Sequence, residues 1–473
     1  MIRGRQLRGL DGVRVTVLGL GRFGGGVGVT RFLVDRGAKV TVTDMADESD
    51  LVDSLKAIED LDLEAMCLGG HPDAAFRDCQ IVIANPAIAP HADVWNKVTH
   101  VPLISSELEL FTEHCPAPLI AVTGSNGKST TAALIHHLLN ASGQRVFLGG
   151  NIGVSLLDQL DSIRSGDHVV LEVSSFQLER LRDSGFAPQI AVLTQFAPNH
   201  LDWHGGIAAY HASKQLIFDR QSMQSLAVLP DQAEVNMQGA AVPSWRVRAR
   251  LHRFGTTDSG EDGVFFDDGS LIFRRHGFED ALRLPQCPEL PGEHNLQNLA
   301  AAACAAWEAG GEPSAIVEAV PSFKRLPHRF QNVARAAGIS FVNDSVSTTP
   351  ESVIAALRTV SGDVSIIAGG ADKRVDLTLM AGEIAATAAG CVLIGQTSTE
   401  LTRLIRHAGG AEFSLQTADD LTAAVQAAAQ QLPDGGTVLL SPGCASFGMF
   451  RDFRDRGERF VVAVKQWVEA NAG

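Results

Sequence analysis

Residues 119–130 read Leu119-Ile-Ala-Val-Thr-Gly124-Ser125-Asn126-Gly127-Lys128-Ser129-Thr130. An apolar run of strand type enters a turn flanked by glycines, and a helical pattern, Thr131 to Leu139, opens directly after it. Such a turn aims successive backbone N–H groups and the positive end of a helix at one point, which suits phosphate oxygens. Lys128 adds a mobile positive charge for the outer phosphates and Ser129 a hydroxyl for a magnesium ion. Strand, glycines, lysine and hydroxyls together favour a site for a nucleoside triphosphate over an ordinary strand–turn–helix with a surface lysine. The spacing is unusual, because only Ser125 and Asn126 separate the two glycines, where the common phosphate loop has four residues.

Working outward, the bulk numbers bound the rest. A chain of 473 residues is too long for one core and predicts about three domains. It is 45% apolar and 20% charged, the composition of a globular protein. No apolar run approaches the ~18 residues that span a bilayer, and the basic start, Met1 to Leu10, leads into a glycine-broken strand rather than a signal peptide. The seven cysteines (67, 79, 115, 287, 304, 391, 444) stand singly, without a CxxC pair, which fits thiols in a reducing compartment better than disulfides or zinc. A net charge of −15 argues against broad nucleic-acid or anionic-membrane contact. The expectation is a cytoplasmic monomer whose partners are small molecules, with neither nucleic acid nor membrane among them.

Before the phosphate loop, the strand Val13–Leu18 runs into Gly19-Leu-Gly21-Arg-Phe-Gly24, a helical stretch to Arg36, and a second strand, Lys39–Thr43, that ends at Asp44. This is a Rossmann-type unit with an acid at the end of its second strand, open to a dinucleotide or to another nucleotide in the same crevice. Extra glycines at 25, 26 and 28 lower the intrinsic stability of its helix. Pro116 and Pro118 mark a linker. Beyond it come strands at Arg145–Leu148, His168–Val173 and Ile190–Thr194, short antiparallel strands over about 252–280, and an alanine-rich helix, Leu296–Gly310. A second boundary lies near Pro321–Pro327. The third segment again alternates, with Ile339–Val342, a helix from Pro350, Val364–Gly370, Cys391–Gly395, a helix near 420–431 and Thr437–Leu440. The predicted fold is α/β in three domains: a Rossmann-like N-terminal domain (1–114), a central phosphate-loop ATP-binding domain with a mostly parallel sheet (115–323), and a Rossmann-like C-terminal domain (324–473).

Polar residues at strand ends are the candidates for chemistry. Glu172 closes Val169-Val-Leu171 and could hold magnesium against a triphosphate. His200 and His204 lie in Pro198-Asn-His200-Leu-Asp-Trp-His204; their spacing suits a zinc pair on a helix, but no third ligand is evident.

The short loop resembles the Thr-Gly-x-Asn-Gly-Lys-Ser/Thr form found in the Mur ligases and folylpolyglutamate synthases. The resemblance to the Mur ligase family continues through Gly150-Asn151-Ile-Gly153, Glu172-Val-Ser-Ser-Phe-Gln-Leu-Glu179, Asn199-His-Leu-Asp202, Tyr210-His-Ala-Ser-Lys214, Gly292-Glu-His-Asn295-Leu-Gln-Asn298 and Leu326-Pro-His-Arg329-Phe. The tail, Ser441-Pro-Gly-Cys-Ala-Ser446-Phe-Gly-Met-Phe450-Arg-Asp-Phe453-Arg-Asp-Arg-Gly457, resembles the branch of that family that adds glutamate. By this resemblance Gly124, Ser125, Asn126, Gly127, Lys128, Ser129 and Thr130, with Asn298, Arg329 and Asp344, hold ATP. Ser129, Glu172, His200 and Lys214 serve Mg²⁺, Lys214 as a carbamate, and Lys128, Glu172, His200 and Lys214 carry the catalysis. Gly19, Gly21, Asp44 and Asn151 take the UDP-linked precursor, and Thr348, Lys373, Ser446 and Phe453 the glutamate. The implied reaction adds D-glutamate to UDP-N-acetylmuramoyl-L-alanine at the expense of ATP, through an acyl phosphate. The alternatives are the same chemistry with L-glutamate, or ligation of the folylpolyglutamate-synthase kind; a nicotinamide-dependent oxidoreductase leaves the phosphate loop idle. Family members usually read Asn-Asp-Ser-Lys-Ala-Thr where this chain has Asn343-Asp-Ser-Val346-Ser-Thr348, which removes a positive charge and bears on how glutamate is recognised.

Overall fold

A computed structural model describes residues 7–471 apart from 22–23, 153–154, 236, 238–243, 288, 291, 373–374 and 447. The chain divides into two compact units, Met1–Phe323 and Lys324–Gly473.

The first unit contains two sheets. One is built from β1 (Arg14–Leu18), β2 (Lys39–Thr43), β3 (Ala65–Cys67), β4 (Ile81–Ala84) and β5 (Leu103–Ser105), in the order β3-β2-β1-β4-β5. All four pairings are parallel. The order reverses between β1 and β4, so a crevice opens at their carboxyl ends, the usual place for a ligand in such a sheet. Alternation along the strands divides their side chains. Val15, Val17, Val40, Val42, Ile81 and Ile83 enter one core cluster, whereas Leu18, Val82 and Ala84 enter another.

The other sheet has nine strands: β6 (Leu119–Thr123), β7 (Val146–Gly150), β8 (His168–Glu172), β9 (Ile190–Leu193), β10 (Leu226–Pro230), β11 (Arg250–Gly255), β12 (Gly263–Asp267), β13 (Ser270–Arg275) and β14 (Phe278–Arg283). Their order is β14-β13-β12-β11-β10-β9-β6-β8-β7. Every pairing from β7 to β12 is parallel, and only β12–β13 and β13–β14 are antiparallel. Residues 252–280, expected as antiparallel strands throughout, therefore begin with a strand that extends the parallel sheet. The chain crosses over between β10 and β11 instead of turning back on itself. One core cluster runs through both sheets of this unit, from Leu7, Val17, Phe32 and Phe111 to Leu171, Leu193 and Phe218.

The second unit has a six-stranded sheet of β15 (Gln331–Ala336), β16 (Ile339–Asn343), β17 (Val364–Ala368), β18 (Gly390–Leu393), β19 (Ser414–Thr417) and β20 (Gly436–Leu440), ordered β15-β16-β20-β17-β18-β19. Only β15–β16 is antiparallel. Phe341, Ile367, Val392, Val438 and Leu440 face one core, and Val342, Ile366, Leu393 and Leu439 the other. Both faces are covered, as a parallel sheet requires. Among the described residues no helix is long and apolar enough to cross a membrane.

Candidate active site

The phosphate loop sits where the nine-stranded sheet reverses its winding, between β6 and β9. It is tied to the end of β9 by Ser125 N–H to the Gln195 carbonyl at 2.6 Å and by the Thr194 hydroxyl to the Asn126 carbonyl at 2.5 Å. A Cβ on Gly124 would lie 1.9 Å from Thr194 Oγ1, and one on Gly127 2.2 Å from Asn298 Oδ1. Gly127 is also left-handed (φ 81°) as it caps the helix Lys128–Ala141, so glycine is required at both positions. No side chain caps that helix, and its first N–H groups and dipole are directed at the place a phosphate would occupy. Lys128 Nζ donates to the Ser125 carbonyl at 3.0 Å, folding over its own loop. Ser129 and Thr130 lie in the first helical turn, Ser129 buried and Thr130 half-buried, while Asn126 is exposed. The Ser125 hydroxyl donates to the Ala197 carbonyl (2.6 Å) and meets the Tyr210 hydroxyl (2.9 Å). Asn298 enters from the helix Glu293–Glu308, its Oδ1 accepting from the Thr131 hydroxyl at 3.4 Å.

Beneath the loop lies Lys214, 1% exposed. Its Nζ donates to the Gly124 carbonyl at 2.7 Å and lies 4.8 Å from the centre of the Tyr210 ring. Burial, and then the neighbouring Lys128, hold its pKa far below the ordinary lysine value against the opposing pull of Glu172. The amine is thereby biased towards its neutral, nucleophilic form. Glu172 is 2% exposed at the end of β8. Its Oε1 accepts from Asn151 Nδ2 at 3.0 Å, and the Asn151 N–H also donates to the Glu172 carbonyl at 2.7 Å. Oε2 of Glu172 is buried and has no hydrogen-bond partner among the described residues. An orphaned carboxylate oxygen beside a phosphate loop fits a magnesium ion. That ion favours one or two carboxylates, with water and substrate phosphates completing its octahedron. Among the described residues no three His, Cys, Asp or Glu side chains gather as a metal site. The remaining positions would fall to phosphates, water and a hydroxyl such as that of Ser129.

His200 is exposed in a left-handed conformation (φ 53°), its ring 4.8 Å from that of Phe176. His204 is no zinc partner for it, because its two ring nitrogens meet the Ser175 and Ser213 hydroxyls at 2.9 and 3.2 Å.

In the first sheet, Asp44 is 9% exposed, and its two oxygens accept from the N–H groups of Gly21 (2.9 Å) and Ala46 (2.8 Å). It thereby holds the glycine turn that leaves β1. Gly19 packs against Asn85, with room for no Cβ (2.8 Å to Asn85 Cβ). Asn85, directly after β4, thus lines the same crevice as Gly19 and Gly21. Its strand was not foreseen, and neither was this role.

In the second unit, Asp344 is buried at the end of β16. It accepts from the Phe330 N–H (3.0 Å) and from the Ser347 (2.5 Å) and Ser441 (3.0 Å) hydroxyls. Burial pushes its pKa up to about 6, against these donors and the Arg329 charge. Arg329 is flanked by two left-handed non-glycine residues, His328 (φ 63°) and Phe330 (φ 46°). Strain of this kind, about 1–3 kcal/mol per residue, persists where a loop must aim a particular group. Thr348 and Phe453 are half-buried and Ser446 is buried; Lys373 lies outside the described residues. The residue missed here is Arg456, fully buried, donating to the Ser345 hydroxyl (3.0 Å), the Ser345 carbonyl (2.8 Å) and the Cys444 carbonyl (3.1 Å). It ties the 441–457 tail to the segment after β16. Its place within the 441–457 motif was the only available signal.

Three family descriptions match in order: the Mur ligase MurD-like N-terminal domain over 13–101, the Mur ligase middle domain over 122–306, and the Mur ligase glutamate ligase domain over 328–444. The UDP-N-acetylmuramoylalanine–D-glutamate ligase of Roseiflexus sp. (strain RS-1) is 38% identical over 97% of this chain and 99% of its own. The protein of that name from Trichlorobacter lovleyi is 35% identical over 96% and 98%. Among solved structures, the UDP-N-acetylmuramate–alanine ligase of Thermotoga maritima shares the fold, with a TM-score of 0.60 over 96% of this chain and 99% of that one at 18% identity. The chain belongs to the Mur ligase family. Its relatives and its N-terminal match lie in the D-glutamate-ligase branch of that family.

Proposed function

We propose that the protein joins D-glutamate to UDP-N-acetylmuramoyl-L-alanine, with cleavage of ATP to ADP and phosphate, in the building of a peptidoglycan precursor. The observation that carries the chemistry is the phosphate loop with the unpartnered Glu172 oxygen and the buried Lys214 directly beneath it. Segment 1–114 takes the UDP end of the precursor, with Asp44 ordering the glycine turn and Asn151 beside Glu172. Segment 115–323 takes ATP, and segment 324–473 takes glutamate through Thr348, Lys373, Ser446 and Phe453.

Carboxylate is a poor electrophile, so amide formation needs activation. An oxygen of the precursor's alanine carboxylate bonds to the γ-phosphorus of ATP and the bond to ADP breaks, leaving an acyl phosphate. The glutamate amine then bonds to the acyl carbon, phosphate departs with the former carboxylate oxygen, and the amine loses its proton. Lys128, the Lys128–Ala141 helix terminus and Arg329 neutralise charge on the transferred group, and the protein otherwise positions the reactants. Glu172, Ser129, His200 and, as a carbamate, Lys214 would hold magnesium, which would supply further charge neutralisation on the phosphates. A depressed lysine pKa supports that modification, since only the free amine attacks carbon dioxide. Asn298 and Asp344 complete the ATP site. The enzyme acts as a monomer in the cytoplasm, a reading that its acidic balance suits.

The test is phosphate release from ATP with UDP-N-acetylmuramoyl-L-alanine and D-glutamate, L-glutamate or no amino acid. Release that depends on D-glutamate supports the reading and shows that Val346 is tolerated. A preference for L-glutamate keeps the ligase chemistry and overturns the enantiomer, and no release with either overturns the acceptor.

A further inference from the structure

The loop after β4 carries more than Asn85. It continues through Ile88 to Trp95, whose indole N–H donates to the Ala89 carbonyl at 2.7 Å. A residue from the other sheet of the same unit grips it. Arg180 ends the helix Ser175–Arg180; its Nη2 donates to the Ile88 carbonyl at 2.5 Å, and its guanidinium carbon lies 4.4 Å from the centre of the Trp95 ring. Its Nε is buried without a partner, and no carboxylate pairs with it among the described residues. Burial holds its pKa below the ordinary arginine value, opposed only by Glu179. A guanidinium kept at this cost in desolvation for one carbonyl and one ring is a poor stabiliser but a stiff connector. Arginine's planar fork can stack on an aromatic face and donate a hydrogen bond at once.

What it connects matters. At one end, the Asn85–Trp95 loop borders the glycine-turn crevice. At the other, the helix of Arg180 begins three residues beyond Glu172, held by a capping box in which the Ser174 hydroxyl accepts from the Gln177 N–H (3.2 Å) and Gln177 Oε1 accepts from the Ser174 N–H (3.0 Å). Glu172, the capping box and Arg180 thus form one short rigid run.

We propose that Arg180 is a positioning residue for ligation: by clamping the Asn85–Trp95 loop to the segment that carries Glu172, it sets the span between the bound precursor and the phosphate it attacks. This rests on the assignment of the precursor to the first sheet. Misplacement of reacting groups by about 1 Å costs on the order of 100-fold in rate. Arg180→Ala should therefore lower kcat by about 10- to 100-fold and leave the KM for ATP within twofold. Arg180→Lys, which retains charge but not the stacked fork, should recover only part of the loss. Trp95→Ala should give a similar loss, and the double variant should be no worse than either alone, because both remove one clamp. Losses that multiply in the double variant, or an ATP KM that rises in step, overturn the proposal. A second readout does not depend on activity. Backbone amides of residues 85–95 should exchange hydrogen faster in Arg180→Ala while those of 124–130 do not change. Unchanged exchange over 85–95 overturns the clamp whatever the substrates are. A wild-type enzyme that releases no phosphate with this precursor overturns the functional reading instead.

Discussion

Glu172 offers the sharpest separation of folding from function. Its side chain is 2% exposed, one oxygen is satisfied by Asn151 at 3.0 Å and the other has no partner among the described residues. Leaving a buried polar atom unpaired costs about 1–3 kcal/mol, and more when it is charged. Glu172→Gln keeps the acceptor for Asn151, removes the buried charge and leaves a less costly amide in place of the orphan oxygen. The net expectation for the ligand-free protein is a gain of about 1–2 kcal/mol, roughly 1–3 °C in melting temperature. Saturating ligand has the opposite effect on the comparison. A site filled at 100 times its Kd stabilises the wild type by about 2.7 kcal/mol, and a variant without the carboxylate should lose most of that gain with magnesium and a non-hydrolysable ATP analogue. Differential scanning calorimetry of both proteins, with and without the magnesium–nucleotide pair, reads both effects. A variant that melts below the wild type when empty, or that retains the full shift with magnesium–nucleotide, would refute the assignment of the orphan oxygen to a metal.

Gly127→Ala combines a left-handed backbone, about 1–2 kcal/mol of strain, with a Cβ 2.2 Å from Asn298 Oδ1; the KM for ATP should rise at least tenfold while calorimetric binding of the precursor persists. The Glu107 carboxyl lies beside Gly25 and Ser155, where burial pushes its pKa up to about 7 from 4.5. Because the folded value is the higher one, its contribution is complete below about pH 4.5 and is lost as pH rises through 7. That amounts to roughly 3 kcal/mol, so Glu107→Gln should flatten the fall in melting temperature between about pH 4.5 and 7, and identical profiles would count against it. Arg456→Met leaves two carbonyls and a hydroxyl without their buried donor. Hydrogen exchange of β16 and β20 should accelerate as the second unit loses about 3 kcal/mol or more, with the phosphate-loop helix unaffected.

The parts of this molecule that were legible in the sequence are those whose cause is local. β6, the loop and its helix declare themselves because strand, glycines and lysine are contiguous, and Asp44 lies one Rossmann crossover from the Gly21 it holds. What stayed hidden depends on long-range approach. The glycines at 25, 26 and 28 read only as a weakness in a helix, yet Gly28 exists in contact with Ser155, whose Cβ would lie 2.6 Å from any Cβ placed there. β3, β4 and β5, at three to four residues each, are too short to show a period, so Asn85 had no strand to end. Thr194, Tyr210 and Arg180 act through partners that only the sheet order brings near, and no spacing along the chain encodes that order.

The core shared by the first two sheets has a consequence for how this enzyme fails. Residues from Leu7 to Trp245 and Val247 belong to one apolar cluster, so the glycine-turn crevice and the phosphate loop share a core, beside the smaller cluster that the first sheet keeps on its other face. Damage to either sheet spreads to the other, and the affinities for precursor and nucleotide should decline together as heat or mutation loosens the cluster. The glutamate-ligase portion has two cores of its own and can lose order separately. On the proposed assignments, an enzyme in that condition would keep its precursor, lose the Arg329 and Asp344 share of its grip on ATP, and stall for want of glutamate.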